Sequence, residues 1–87
     1  MKFSVIIPVF KEAGSAFENR LRDLCQENGD IEIIVVDGEN EASTISRLPD
    51  DLKSFANLQL VSSALGRGVQ LALGAGLATG EVLIFIH

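Results

Sequence analysis

Four short apolar runs, rich in β-branched residues, divide the chain, and segments of helical period lie between them. The runs cover residues 3–8, 31–36, 58–61 and 81–87. Continuous apolar runs bounded by glycine, proline or aspartate are typical of strands buried on both faces, as in a parallel sheet covered by helices. Pro8 cannot donate a hydrogen bond to a strand ladder, so the first strand is predicted to end there.

The first segment of helical period begins at Ser15 and stops at Gly29. Glu18 follows Ser15 by three residues, which predicts a capping box at the helix start. The predicted buried face of this helix consists of Phe17, Leu21, Leu24, Cys25 and Asn28. The single cysteine is therefore predicted to be a small core residue rather than a reactive thiol.

Three further helical segments are predicted, over residues 40–47, 50–56 and 66–79. In the last of them Gly68, Ala72 and Gly76 are spaced four apart, so they share one stripe of the helix. This stripe predicts a close approach of the helix backbone to its neighbour. The complete order, β-α-β-α-β-α-β, predicts an α/β fold with a parallel sheet and right-handed crossovers, in one partial domain over residues 1–87.

Composition excludes several classes of function. The 87 residues carry a formal net charge of −5, have no cluster of Lys or Arg and contain neither Trp nor Tyr, which argues against a nucleic-acid surface. No apolar run reaches the roughly 18–20 residues that a membrane helix needs. One cysteine excludes an internal disulfide, and a cytoplasmic location is expected.

Two candidate sites follow strands 1 and 2. If these strands are parallel neighbours, both turns open onto the same edge of the sheet, where a carboxylate can accept from a ribose hydroxyl or a base N–H. In the alternative interpretation, Asp37 and Asn40 only shape a turn and cap a helix. The two turns read Pro-Val-Phe-Lys-Glu over residues 8–12 and Asp-Gly-Glu-Asn over residues 37–40.

A third candidate lies at the start of the helix over residues 66–79. Gly66 and Gly68 flank Arg67, so backbone amides and a fixed positive charge are available to a phosphate. Leu71 stands where the dinucleotide-binding fingerprint requires its last glycine, so that fingerprint is absent.

These segments together resemble the family 2 glycosyltransferases. Residues 4–12, Ser-Val-Ile-Ile-Pro-Val-Phe-Lys-Glu, are similar to the family's usual opening strand, in which asparagine stands at the position of Lys11. Residues 32–38 resemble the second strand and its acidic turn. Residues 66–71, 74–75, 78 and 80–87 resemble a bacterial branch of the family, and the resemblance covers essentially the whole chain in the correct order.

The resemblance implies the nucleotide-diphosphosugar-binding half of a transferase, with a three-layer, Rossmann-like parallel sheet in the strand order 3-2-1-4. It places the end of strand 1 at the nucleoside, Asp37 at the base or ribose, and the start of the last helix near the nucleotide. The nucleotide-binding residues that it implies are Pro8, Val9, Phe10, Glu12, Asp37, Arg67 and Gln70.

The family's metal-binding Asp-x-Asp, which holds a divalent cation (Mn or Mg) against the sugar diphosphate, follows the strand that here ends at His87. The resemblance therefore implies no cofactor and no catalytic residue within these 87 residues, and the chain alone is expected to be inactive in sugar transfer. Glu39, Asn40 and Ala72 also depart from the family's usual residues, each changing a polar group near the expected nucleotide.

Two other functions stay open from the sequence. The last strand starts at Val82 and includes Ile86, and its apolar edge is a template for pairing, which predicts a homodimer and a self-associating, non-enzymatic domain. A receiver-like signalling domain with Asp37 as phosphoacceptor shares the alternating architecture, but the turn after strand 1 offers only Glu12 as a further acid.

Overall fold

Four parallel strands form one sheet in the computed structural model, which describes residues 1–11, 14–27, 29–39 and 43–86. The strands are β1 (Phe3–Val9), β2 (Ile31–Asp37), β3 (Leu58–Ser62) and β4 (Val82–Phe85). The helices are α1 (Ser15–Cys25), α2 (Ser43–Ser46), α3 (Asp50–Lys53) and α4 (Arg67–Leu77). The sheet order is β3-β2-β1-β4, which confirms the predicted α/β class and the order 3-2-1-4.

Helices cover both faces of the sheet, so the fold has three layers. The core is divided into two clusters of buried residues, one on each face of the sheet. Val5 and Ile7 of β1 pack with α1 and α3 in the larger cluster, whereas Ile6, which points to the other face, packs against α4. The strands must be apolar at successive positions because both faces are buried. Cys25 lies in the larger cluster, as predicted, and its burial raises the pKa of the thiol.

The capping box predicted at the start of α1 is wrong. The N-cap is Gly14, at φ 106°, and no side chain caps this helix end. Ser15 is already the first helical residue, so its hydroxyl stands one position too late to serve as the cap. The backbone N–H of Glu18 donates instead to the carbonyl oxygen of Gly14 at 3.4 Å.

The predicted close-approach stripe of α4 is also wrong. A Cβ added at Gly68 or Gly76 would meet nothing within 4 Å, and Ala72 is exposed. The close approach is at Gly74, where an added Cβ would overlap Ile6 and lie 3.3 Å from Val36 Cγ2. A shift of two positions turns a helical residue by about 200°, so the small residues of the predicted stripe lie away from the sheet.

A hydrogen-bonded network ties the amino ends of three strands together. The carboxylate of Glu32 in β2 accepts from the Ser4 hydroxyl, from Thr79 N at 2.6 Å and from Thr79 Oγ1 at 3.0 Å. Ser4 Oγ in turn accepts from Gly80 N at 2.8 Å, and Lys2 Nζ donates to Thr79 Oγ1 at 2.7 Å. Burial acts to raise the pKa of the Glu32 carboxyl, but these hydrogen bonds and the charge of Lys2 outweigh it and lower that pKa. The turn before β4 is therefore anchored to β1 and β2.

Candidate functional site

The carboxyl ends of β1 and β2 lie side by side, as the sequence predicts for parallel neighbours. Val9 is the register partner of Asp37, and Gly38 N donates to Val9 O at 2.9 Å. We call the two turns that follow, residues 9–11 and 37–39, the carboxyl edge. Ligands of open α/β sheets bind outside such an edge, which makes it the candidate site.

Asp37 is fully buried at this edge, and its carboxylate accepts hydrogen bonds from the backbone. Oδ1 accepts from Glu39 N at 3.1 Å, and Oδ2 accepts from Thr44 N at 3.1 Å and Ile45 N at 3.3 Å. The carboxylate thus shapes the turn after β2 and caps α2, as the alternative interpretation proposed. A contact with base or ribose stays a prediction, and full burial argues against a phosphoacceptor.

Gln70 is the polar side chain of α4 that reaches the sheet, and it is only 4% exposed. Its amide Nε2 donates to Val9 O and to Val36 O, both at 2.9 Å. The structure therefore joins Gln70 to β1 and β2 at the carboxyl edge, whereas its predicted position near a nucleotide remains untested. The available sequence signal was a long amide on the helix face that also carries Gly74.

Gly38 completes this packing because a side chain would not fit at its position. A Cβ added there would lie 2.8 Å from Cδ and 2.9 Å from Oε1 of Gln70. Sequence reasoning assigned the glycine to a turn and missed the approach of a buried amide. The second turn and the first turn of α4 therefore pack as one unit.

The turn after β1 presents exposed groups beside that unit. The Phe10 side chain is 43% exposed, and Lys11 Nζ lies 5.2 Å from the centre of its ring. Lys11 has φ 53°, in the left-handed region, which asparagine adopts more readily than lysine. This backbone angle gives a physical reason why the asparagine that the family resemblance implies at this position would suit it better than lysine does. Glu12, the other polar residue predicted here, lies outside the described residues.

The remaining predicted residues, Pro8 and Arg67, lie around this centre. Pro8 and Val9 line an open groove of about 480 Å³ between the sheet and α1, and Ile86 lines it beyond the end of β4. The groove lining does not include Asp37, Gln70 or Arg67. Arg67 is exposed in the first turn of α4. Val9, Asp37 and Gln70 thus meet at the carboxyl edge, whereas the side chain of Arg67 is exposed to solvent.

The divalent cation that the resemblance implies would need several oxygen ligands. Residues 1–11, 14–27, 29–39 and 43–86 contain no group of three or more His, Cys, Asp or Glu side chains that could hold a metal ion. Asp37, the buried acid of the edge, already accepts three backbone hydrogen bonds.

Within the same described ranges no helix has the length and apolar character required to cross a membrane.

A parallel sheet of order β3-β2-β1-β4 with helices on both faces, and with its candidate site at the ends of β1 and β2, defines a three-layer open α/β fold. The family model of glycosyl transferase family 2 matches residues 4–87, and the chain belongs to that family.

Among solved structures, the fold of this chain is similar to part of the crystal structure of S. aureus TarS, with a TM-score of 0.69 and 22% sequence identity. The similarity covers 99% of this chain and 16% of the TarS chain, so this chain spans about a sixth of that protein. At this identity the likeness supports the fold alone. Comparison with curated proteins finds no significant match.

Proposed function

We propose that the carboxyl edge binds the nucleotide of a nucleotide-diphosphosugar, as the donor-binding part of a family 2 glycosyl transferase. The observation that carries the proposal is the family match over residues 4–87, which includes both turns of the edge. The register pair Val9 and Asp37 supports it, because the two segments implied by the family resemblance adjoin one another.

The exposed groups at and beside the edge suit the two parts of such a ligand. The Phe10 ring offers an aromatic face on which a base can stack. The guanidinium of Arg67 and the ammonium of Lys11 offer positive charge to a diphosphate. Sugar transfer itself is proposed only for a whole protein of which this chain would be the donor-binding part.

The test is a titration of the 87-residue chain with uridine diphosphate and guanosine diphosphate, followed by calorimetry and amide NMR. We expect one nucleotide to bind with a Kd on the order of 1 mM and to shift the amide signals of residues 9–11 and 37–39. Arg67→Ala should weaken binding by about fivefold, since it removes one exposed charge worth roughly 1 kcal/mol. Arg47→Ala, at another exposed arginine, should leave the Kd unchanged.

Binding by this chain is expected to be the same with Mn²⁺ and with a chelator, because the described residues contain no group of three or more side chains that could hold a metal ion. The absence of any shift with either nucleotide at roughly 10 mM would contradict the proposal. A Kd that falls sharply on addition of Mn²⁺ would contradict the metal-independent form of it.

A second candidate function, self-association, is favoured by the edge strand β4. Its residues Leu83, Ile84 and Phe85 are 39–43% exposed, and the strand pairs on one side with β1. Successive residues point to opposite faces, so apolar surface is open on both faces of the strand. We propose that a second copy would pair along β4 and Ile86.

Light scattering across a concentration series tests this homodimer. A charge on an edge strand opposes pairing, so Ile84→Lys is expected to give a monomer under conditions where the parent chain is dimeric. Gln59→Lys, an exposed position on the opposite edge strand β3, is the matched control and should remain dimeric. A parent chain that stays monomeric at the highest concentration would exclude the homodimer.

A further inference from the structure

The Gln70 side chain connects two strands through a single amide group. Val9 O accepts from Gln70 Nε2 and from Gly38 N, each at 2.9 Å, while Val36 O accepts the second bond from Gln70 Nε2 at 2.9 Å. A primary amide has two N–H donors, and both are used by these carbonyl groups. The nitrogen therefore has no donor left for a ligand in this arrangement.

Because α4 packs close to the sheet, the side-chain amide of Gln70 has little freedom to adopt another orientation. Gly74, one turn further along the helix, packs directly against Ile6 and Val36, so the helix backbone lies close to the sheet. Gly38 lies against the amide end of Gln70, with no room for a side chain between them. Packed interiors transmit such constraints because they contain few voids.

We propose that Gln70 is a positioning residue that fixes the end of β1 relative to the end of β2 and does not contact the nucleotide. By holding Val9 O and Val36 O it sets where the two following turns, with Phe10 and Gly38, stand relative to each other. Its consequence for ligand affinity rests on the proposed function, whereas its effect on the geometry of the carboxyl edge can be measured without any ligand.

The first test compares Gln70→Met with Gln59→Met by amide hydrogen exchange. Methionine has a similar length and cannot donate, while Gln59 is exposed on β3 and provides the same substitution away from the edge. Loss of a net interaction of about 1.4 kcal/mol should speed exchange of the Gly38 amide about tenfold. The amides of Thr79 and Gly80, at the amino end of the sheet, should exchange as in the parent chain.

The second test uses Gln70→Glu, whose effect should depend on pH. A protonated carboxyl at this position donates one of the two hydrogen bonds, but an ionised one faces two carbonyl oxygens without a donor. Burial and those oxygens raise the pKa of the introduced carboxyl. The ratio of the Gly38 exchange rate in the variant to that in the parent chain at the same pH should therefore be small at low pH and should increase through that pKa. Gln59→Glu, at the exposed site, should produce no such profile.

Nucleotide titration then separates this inference from the proposed function. If the parent chain binds uridine or guanosine diphosphate, Gln70→Met should weaken binding by about tenfold while Gln59→Met leaves it unchanged. If the parent chain binds neither, the proposed function fails and the exchange measurements alone decide the positioning role.

Three outcomes would overturn the positioning role: unchanged exchange at Gly38 in Gln70→Met, equally accelerated exchange at both ends of the sheet, or lost binding with an unaltered edge. Should Gln70→Met fail to fold, the pH profile of Gln70→Glu still decides between the alternatives.

Discussion

Alanine in place of Gly74 is expected to lower the free energy of unfolding by about 2 kcal/mol, whereas alanine in place of Gly76 should raise it by about 0.5–1 kcal/mol. Both glycines lie inside α4, so both replacements gain the same helix propensity. Only at Gly74 does the new Cβ overlap Ile6, which forces the helix away from the sheet. Urea unfolding followed by circular dichroism measures both changes.

The double variant Gly74→Ala with Ile6→Ala isolates the cause. Removing most of the Ile6 side chain relieves the overlap, so the two changes should be non-additive by about 1 kcal/mol or more. Gly68→Ala, in the first turn of α4 and with nothing within 4 Å of the added Cβ, extends the control. If alanine changed the free energy of unfolding equally at the three glycines, the close packing of α4 on the sheet at Gly74 would be contradicted.

Asn in place of Asp37 is expected to cost about 3 kcal/mol of unfolding free energy. The carboxylate is fully buried and accepts from three backbone N–H groups, one on Oδ1 and two on Oδ2. An asparagine amide has one acceptor oxygen, so its NH₂ must face either the N–H of Glu39 or those of Thr44 and Ile45. Hydrogen bonds to a charged group contribute about 1.5–3 kcal/mol, and a buried unsatisfied donor costs about 1–3 kcal/mol.

Asp23→Asn, on the exposed surface of α1, provides the control and should change stability by less than about 0.5 kcal/mol. Amide exchange at Thr44 and Ile45 should accelerate in Asp37→Asn, because these amides lose their acceptor. A variant with parent-like stability but weaker nucleotide binding would contradict the capping role and would instead indicate a direct ligand contact by Asp37.

The strands were predictable because their chemistry is local. Apolar, β-branched runs closed by glycine, proline or aspartate gave boundaries within one or two residues for β1, β2 and β3, and the alternation with helices gave a parallel sheet. The adjacency of Val9 and Asp37 also followed, because parallel neighbours end at one edge.

Details that depend on which face of a helix meets the sheet were not predictable in the same way. Glycine and alanine are neither clearly polar nor strongly apolar, so they do not indicate which face of α4 is buried. The exposed stripe with Gly68 and Gly76 was therefore mistaken for the face that closely approaches a neighbour. The same ambiguity hid the direction of Gln70. At α1 the one-residue difference between Gly14 and Ser15 decided the cap, and helix ends are uncertain by that amount from sequence.

The pairing of β1 with β4 has a consequence for how the chain folds while it is being synthesised on the ribosome. Phe3 pairs with Val82, 79 positions later, whereas β2, its other neighbour, emerges after about a third of the chain. One side of a central strand thus remains without its partner until β4 has been synthesised. Closing so long a loop is slow, and an unpaired strand edge invites contact with other nascent chains. The network around Glu32 can then form only after Thr79 and Gly80 have been synthesised and have reached β1 and β2.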